Sequence, residues 1–242
     1  MNSAWHQRRT TDRENLRAIV SKYPDPVLLT GTLGNMGDHF MWAGADSALG
    51  DLFTSRLDAA DLPSSRGDTL VFPGNGAFAP SHHGYIPPLV HMAASRFRNV
   101  VILPSTFDVT LEETRDVLRL PNVIPLAREQ VSSDAVGCPA LLCCSVYAPL
   151  PSPTNSGKPL ICLRTDAEAS YQPAELLHRN RDISATATNL SEWLAIIAAS
   201  ASVVTDRSHV MVAAVLLDKP VRLLEGNYFK NAAMAEFTFG IT

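Results

Sequence analysis

The sequence lacks the features that would tie it to a membrane or to nucleic acid. No apolar run approaches the roughly 20 residues that a membrane-spanning helix requires. Its 20 Lys and Arg residues are outnumbered by 24 Asp and Glu residues, which gives a formal net charge of −4, and the basic residues are scattered. We therefore expect no membrane span, no polybasic membrane anchor and no nucleic-acid partner.

Cysteine is also scarce, and its spacing argues against the common metal and redox motifs. The four cysteines contain no Cys-x-x-Cys pair and lie in segments that read as buried strands, so we expect inert thiols in a reducing compartment. Neighbouring His82 and His83 lack further ligands at metal-binding spacing, so no metal site is expected. The segment Met1–Glu14 is polar and charged, unlike a signal peptide, which favours a cytoplasmic protein. The cysteines are Cys138, Cys143, Cys144 and Cys162.

Short β-branched apolar runs alternate with helical patterns along the chain. This alternation is typical of parallel sheets covered by helices. A stretch rich in Pro, Ser and Gly, Ala148–Pro159, separates two series of such units and reads as a linker. We therefore predict an α/β fold of two Rossmann-like lobes, residues 1–148 and 149–242, with a hinge near Pro149–Pro159 and a cleft between the lobes.

The elements of this prediction are as follows. The predicted strands are Pro26–Thr30, Thr69–Phe72, Val100–Leu103, Val123–Leu126, Ala140–Cys144, Pro159–Leu163, Ser202–Val204 and Val221–Leu224. The predicted helices are Thr11–Lys22, Asp38–Leu52, Pro87–Ala94, Leu111–Leu118, Leu190–Ala199 and Ser208–Leu217.

Glycine, hydroxyl and charged residues follow the strands of the first lobe. The segment Gly31–Asp38 comes directly after the first strand, and Asp38 can cap the helix that follows. The later strand ends lead into Gly74-Asn75-Gly76, Ser105 and Arg128. Because parallel strands end at the same edge of a sheet, these residues predict a rim lined for a ligand. The glycine spacing is neither that of a dinucleotide-binding loop nor that of a P-loop, which argues against a dinucleotide site.

The second lobe carries an acid, a fixed cation and an imidazole on one turn. Asp206, Arg207 and His209 lie between a predicted strand and a predicted helix. An arginine fork suits a phosphate or carboxylate, and a histidine can give or take a proton near neutral pH. The alternative is that Asp206 only caps the helix and Arg207 is a surface cation.

Two further cations are candidates for contacting an anion. Arg164 comes directly after the preceding strand of the second lobe, within the turn Arg164-Thr165-Asp166, which could also be an ordinary surface turn. Lys230 is either a solvated cation or an extra contact for an anion. Trp42 could stack on a sugar ring, although its residue type favours a position in the buried core.

Taken in order, these segments resemble the polysaccharide pyruvyl transferase family. The similar segments span about residues 26 to 231, nearly the whole chain. The chain departs from the family at Ser208 and Val210, where the family usually has Leu and Gly beside the histidine. The matching segments are Gly34–Asp38, Pro73–Gly76, Leu103–Ser105, Ala127–Ser132, Leu163–Asp166, Thr205–His209, Lys219–Val221 and Asn227–Lys230.

The resemblance implies a fold similar to that of two-lobed GT-B glycosyltransferases. It implies transfer of pyruvate from phosphoenolpyruvate onto two sugar hydroxyls as a cyclic ketal, with release of phosphate, in exopolysaccharide or cell-surface glycan biosynthesis. The acceptor would be a lipid-linked or oligosaccharide sugar on the first lobe, with the donor on the second. No cofactor is implied besides the donor substrate, and the acceptor sugar and the oligomeric state are left open.

The chemistry also implies roles for the candidate residues. His209 would protonate the enol methylene of the donor, while Asp206 would orient His209 or accept a hydroxyl proton. Arg164 and Arg207 would hold the phosphate and carboxylate. The other implied substrate-binding residues are Asn35, Gly37, Asp38, Gly74, Asn75, Gly76, Ser105, Arg128 and Lys230.

Two other functions remain compatible with the sequence. The same architecture would serve a GT-B glycosyltransferase that uses a nucleotide sugar, although the second lobe shows no clear base-binding segment. The substitutions beside His209 would also fit a non-catalytic family member that binds a glycan or an anion.

Overall fold

Two parallel β-sheets, one from each half of the sequence, form the framework of the chain. The computed structural model describes residues 3–74, 76, 78, 85–154, 157–166 and 168–241. The first half contains α1 (Ser3–Val20), β1 (Pro26–Thr30), α2 (Met36–Leu49), β2 (Ser55–Asp58), β3 (Gly67–Phe72), α3 (Ile86–Ala94), β4 (Phe97–Ser105), α4 (Glu112–Leu118), β5 (Val123–Ala127) and α5 (Gln130–Val136).

The second half repeats the alternation with shorter strands. It contains β6 (Leu160–Cys162), α6 (Ala174–Leu177), α7 (Ile183–Thr186), α8 (Leu190–Ala199), β7 (Val203–Thr205), α9 (Ser208–Leu216), β8 (Val221–Leu223) and α10 (Lys230–Phe239). Short 3₁₀ helices occupy Gly50–Leu52, Ala59–Ser64 and Cys144–Tyr147.

All described strand pairs are parallel. The first sheet has the order β2-β1-β3-β4-β5, and the second has the order β6-β7-β8. Parallel strands require crossover connections, and helices supply most of them, so the carboxyl ends of the strands in each sheet lie along one edge. The predicted α/β fold with parallel sheets flanked by helices is confirmed.

Helices from the two halves share one apolar core. Phe40 of α2 and Trp193 of α8 are both fully buried, with ring centroids 5.4 Å apart. The termini also meet, because the indole Nε1 of Trp5 in α1 donates to the carbonyl of Thr238 in α10 at 3.1 Å. The two halves therefore have separate sheets but a common core. The lobe boundary at residues 148 and 149 and the detailed GT-B arrangement stay predictions.

The segment between the halves is irregular where it is described, as its composition predicts. Residues 149–154 and 157–159 form no helix or strand. The segment is nevertheless held in place, since the backbone N–H of Thr154 donates to the carbonyl of Ala198 at 3.0 Å. Lys219 donates to the carbonyl of Thr154.

The predicted strand Ala140–Cys144 is wrong. Only Ala140 bridges to the sheet, opposite Ala127, and the chain then turns into the 3₁₀ helix Cys144–Tyr147. This run is apolar because it packs against α2 in the shared core, and apolar content alone does not distinguish such packing from a buried strand. Conversely, β2 is polar and mostly exposed at the sheet edge, so it carries no apolar signal.

The cysteines are free thiols, and most of them lie in the core. Cys143, Cys144 and Cys162 are buried, and Cys138 is partly buried. Burial raises the pKa of Cys138 to about 11 and that of Cys162 to about 12, which keeps both thiols protonated at neutral pH. Among the helices of the described ranges, none has both the length and the apolar character needed to cross a bilayer.

The close approach of α2 to the 3₁₀ helix gives a test of this packing. A Cβ added to Gly44 would stand 1.8 Å from the carbonyl oxygen of Cys144, whereas a Cβ on Gly50 would meet nothing nearer than 3.9 Å. Gly44→Ala is expected to lower the free energy of unfolding by about 1–3 kcal/mol or more, because backbone cannot yield as a flexible side chain does. Gly50→Ala is the matched control, with an expected gain of about 0.4–1 kcal/mol.

Urea denaturation of both variants measures the difference. Equal stability of the two variants would show that α2 does not approach the 3₁₀ helix as closely as described.

Candidate functional site

The strand ends of both sheets contribute to one cleft of about 600 Å³, part of which is open to solvent. The cleft is lined by residues that follow β1, β5, β6 and β7 and by the first residue of α10. This is the edge where parallel α/β sheets place ligands. The predicted site residues that line it are Asn35, Gly37, Asp38, Gly76, Arg128, Arg164, Arg207, His209 and Lys230.

Three other predicted residues do not line the cleft. Gly74 packs against β4, where an added Cβ would stand 2.5 Å from the carbonyl oxygen of Pro104. Ser105 is fully buried, and its hydroxyl donates to the carbonyl of Leu103 at 2.8 Å. Asp206 is buried and is not among the residues that line the cleft. Asn75, and the pair His82 and His83, lie outside the described residues.

The first turn of α2 forms one wall of the cleft. Asn35 caps the helix by accepting from the N–H of Gly37 at 2.8 Å, and Asp38 accepts from the N–H of Asn35 at 2.9 Å. This reciprocal capping box orients both polar side chains. A Cβ on Gly37 would lie 3.0 Å from the Cβ and Cδ2 of His209. The glycine thus lets the helix start pack directly against the imidazole from the other half.

Arg128 is a buried cation that follows β5. Arg128 is 1% exposed, and its Nε donates to the hydroxyl of Thr106 at 2.8 Å. Among the described residues, no carboxylate lies within 4 Å of its guanidinium. Its Nη2 and the Nζ of Lys230 lie 3.0 and 3.5 Å from the point where a Cβ on Gly76 would stand. A buried cation without an anionic partner is costly, so this position favours an anionic ligand.

His209 lies beside Arg128 on the first turn of α9. The two side chains are joined by a contact of 3.3 Å between Nη1 of Arg128 and Nε2 of His209. Burial lowers the pKa of His209 well below its usual value, and the cations Arg128, Lys230 and Arg164 lower it further, against the opposing effect of Glu168. The imidazole is therefore neutral at pH 7 in this arrangement.

Glu168 organises the two other cations on the second-sheet side. It is 4% exposed, and its Oε2 accepts from Arg164 Nη1 at 2.6 Å and from Lys230 Nζ at 2.5 Å. Asp166 also accepts from the Nε and Nη2 of Arg164, at 2.8 and 3.0 Å. Burial lowers the pKa of Lys230 to about 8, with Arg164 and Arg128 also lowering it and Glu168 raising it. Lys230 thus changes charge close to neutral pH.

Arg207 is already paired with a carboxylate. Its Nε and Nη2 donate to the two oxygens of Asp182 at 2.7 and 2.6 Å, and both side chains are buried. Asp166 accepts a further bond from Nη2 at 3.1 Å. The fork expected to hold an anionic ligand is therefore filled by Asp182, although Arg207 does line the cleft.

Asp206, which follows β7, bonds to the backbone that follows β6 and not to the imidazole of His209. Its Oδ1 accepts from the backbone N–H of Arg164 at 2.8 Å, and its Oδ2 is buried with no partner among the described residues. Burial raises the pKa of Asp206, although the bond from Arg164 opposes this effect. Its carbonyl accepts from Asn231, which also accepts from the hydroxyl of Ser208 at 2.6 Å. Ser208, one of the positions at which the chain departs from the family pattern, thus has a polar hydrogen-bonding partner on α10.

Two acidic residues of this site were not predicted from the sequence. Glu168 lies four residues after Arg164 in a loop, a spacing that carries no signal outside a helix. Asp182 precedes α7, and no predicted strand ends near it. Among the described residues, no group of three His, Cys, Asp or Glu side chains is placed to hold a metal ion.

Comparison with known proteins gives two positive findings. Residues 35–228 match the family described as polysaccharide pyruvyl transferase. The chain is also similar in structure to a functionally uncharacterised protein of Klebsiella pneumoniae subsp. pneumoniae NTUH-K2044, with a TM-score of 0.74 and 19% identity over 98% of this chain and 95% of the other. At that identity the likeness shows the fold alone. A search of curated proteins found no match.

Proposed function

The chain belongs to the polysaccharide pyruvyl transferase family, and we propose that it moves pyruvate from phosphoenolpyruvate onto two hydroxyls of one sugar as a cyclic ketal, with release of inorganic phosphate. The family match covers most of the chain and confirms the resemblance seen in the sequence. The acceptor would be a glycan of the exopolysaccharide or cell-surface type.

The observation that carries the donor assignment is Arg128. It is buried at the cleft, lacks a carboxylate within 4 Å among the described residues, and contacts His209. Phosphoenolpyruvate offers a carboxylate and a phosphate that carries about −1.5 to −2 charges at pH 7. Either group would pair with the guanidinium of Arg128. Lys230, close to the same Gly76, would share it.

The reaction needs one proton added to carbon and two removed from hydroxyls. His209 in its protonated form donates a proton to the methylene carbon of the donor, which makes an oxocarbenium-like centre at the adjacent carbon. One sugar hydroxyl attacks this carbon, the bond to the phosphate oxygen breaks, and the second hydroxyl closes the ketal. Of the two hydroxyl protons, one returns to His209 and the other leaves with the phosphate.

The arginines of the site differ in whether a carboxylate of the protein already pairs with them. Arg207 is held by Asp182, and Arg164 by Asp166 and Glu168, so each has its charge largely matched within the protein. We assign Arg207 and Asp182 to fixing the turn before His209, and Arg164 to contacting the donor from the side of Glu168. Arg128 is then the principal anion contact, and Lys230, which also donates to Glu168, is a secondary one.

The acceptor sugar would approach from the α2 side of the cleft. Leu33 is 79% exposed at the cleft, and Trp42 lines the same wall with its ring 4.7 Å from that of His39. A half-buried indole presents a flat apolar face suited to a sugar ring. This arrangement supports a carbohydrate acceptor next to the donor.

Donor affinity is expected to fall as the pH rises through about 8, the pKa of Lys230. Loss of the proton removes one positive charge from the cleft, and so weakens attraction for the donor anion. Titrating phosphoenolpyruvate calorimetrically between pH 7 and pH 9 measures the effect. Lys230→Arg should show a smaller fall across this range, because arginine stays charged. Identical pH dependence in both proteins would exclude Lys230 as the responsible group.

A binding comparison tests the donor directly. Phosphoenolpyruvate should bind to the protein without any acceptor, and inorganic phosphate should compete with it. A nucleotide sugar should not compete. If a nucleotide sugar binds and phosphoenolpyruvate does not, the glycosyltransferase alternative replaces this proposal.

A further inference from the structure

The hydrogen bond between Arg128 and His209 fixes the proton position on the imidazole. A guanidinium has only donors, so Nη1 of Arg128 donates and Nε2 of His209 accepts at 3.3 Å. Nε2 therefore carries no proton, and the ring proton sits on Nδ1. Nδ1 itself is buried and has no hydrogen-bond partner in the described part of the chain.

This state of His209 cannot supply the proton that pyruvyl transfer requires. A protonated imidazole carries hydrogen on both nitrogens, so Nε2–H would then face the N–H of Arg128. Two donors cannot share one hydrogen bond. The contact seen in the cleft and the acid form of His209 therefore exclude each other.

The net charge around the ring also disfavours protonation of His209. Arg128 after β5, Lys230 of α10 and Arg164 after β6 are cations close to His209, whereas Glu168 is the acidic group that opposes them. On the α2 side, Gly37 contacts the ring and Asp38 lines the same cleft. A donor with a phosphate and a carboxylate would add anionic charge where the cations converge, and would so favour a protonated ring.

We propose that donor binding converts His209 from a neutral acceptor of Arg128 into a protonated acid, because Arg128 transfers its hydrogen bond from the imidazole to an anionic oxygen of the donor. This inference rests on the proposed function and adds a role for Arg128 as a positioning residue. The proton comes from solvent as the donor binds, and it is the proton that His209 then delivers to the methylene carbon. While it accepts from Arg128, His209 holds no proton for transfer.

Calorimetry with phosphoenolpyruvate and no acceptor tests the coupling without turnover. Binding is measured at pH 7 in buffers of different ionisation enthalpy, for the wild type and for His209→Gln. The wild type should take up about one more proton per donor bound than the variant. Protonation changes of Lys230 or of the donor occur in both proteins and cancel in the comparison.

Ring nitrogen NMR gives a second readout on the unaltered protein. The His209 signals, identified by their loss in His209→Gln, should show a neutral ring with hydrogen on Nδ1 in the free protein, and a doubly protonated ring at saturating donor. In Arg128→Met the ring should titrate at higher pH than in the wild type when no donor is present. Unchanged titration in that variant would overturn the positioning role of Arg128.

The outcomes separate this inference from the proposed function. If phosphoenolpyruvate binds while His209 stays neutral and both proteins take up equal protons, the coupling is wrong and the donor assignment stands. If phosphoenolpyruvate does not bind at all, both are wrong.

Discussion

Replacing His209 with alanine is expected to slow pyruvyl transfer by roughly 10²–10⁴-fold, the range typical of a lost general acid. Donor binding should change less than turnover, because Arg128 supplies the main anion contact and the proton that His209 takes up contributes only part of the donor affinity. The measurement is phosphate release under saturating donor and acceptor, together with a calorimetric Kd for the donor. A fall in turnover that greatly exceeds the rise in Kd is the expected pattern.

His178→Ala is the matched control, since that histidine is exposed outside the cleft. It should retain wild-type rates. If His209→Ala proves as active as the wild type, proton transfer does not pass through this residue. If instead its Kd rises in step with the loss of rate, His209 is a binding group rather than an acid.

Arg128→Met is expected to weaken donor binding strongly without destabilising the protein. Removing a buried charged partner from a bound anion costs about 2–5 kcal/mol, or about 30-fold to several thousand-fold in affinity. In the free protein, however, the same change removes a buried cation that has no carboxylate within 4 Å among the described residues. The variant should therefore unfold at the same urea concentration as the wild type or at a higher one.

Arg119→Met provides the control for the substitution itself, because Arg119 is exposed after α4. It should alter neither donor affinity nor stability. A strongly destabilised Arg128→Met would mean that Arg128 is a structural residue whose charge is satisfied within the fold. Unchanged donor affinity in that variant would remove Arg128 from the donor site.

The fold was predictable where local patterns and tertiary packing agree. The bounds of β1 and α8 match the predicted Pro26–Thr30 and Leu190–Ala199, because apolar runs with clear boundaries lie on a buried strand and an amphipathic helix. The run ending at Cys144 was misassigned because it is buried against α2 rather than within a sheet. Helix α10 was not predicted, since its amphipathic pattern is weak.

Most of the site residues that could be predicted from the sequence lie just after strands. Arg128, Arg164 and His209 each follow a strand, and the structure brings them to one cleft. The sequence shows which cations are present, but not which carboxylates neutralise them. Pairing of Arg207 with Asp182 depends on how the loop before α7 folds back, and neither spacing nor composition encodes that contact. The distinction between paired and unpaired cations thus required the structure.

The most direct test of the proposed activity is the stoichiometry of a complete reaction. The protein is incubated with phosphoenolpyruvate and an oligosaccharide panel that offers sugars with two neighbouring or 4,6-related hydroxyls. Released phosphate and acid-labile pyruvate ketal on the sugar are then quantified together. Equal amounts of phosphate and ketal are predicted, and both should be lost in His209→Ala. Phosphate release without ketal on any sugar, or glycosyl transfer from a nucleotide sugar to the same acceptors, would contradict the proposed pyruvyl transfer.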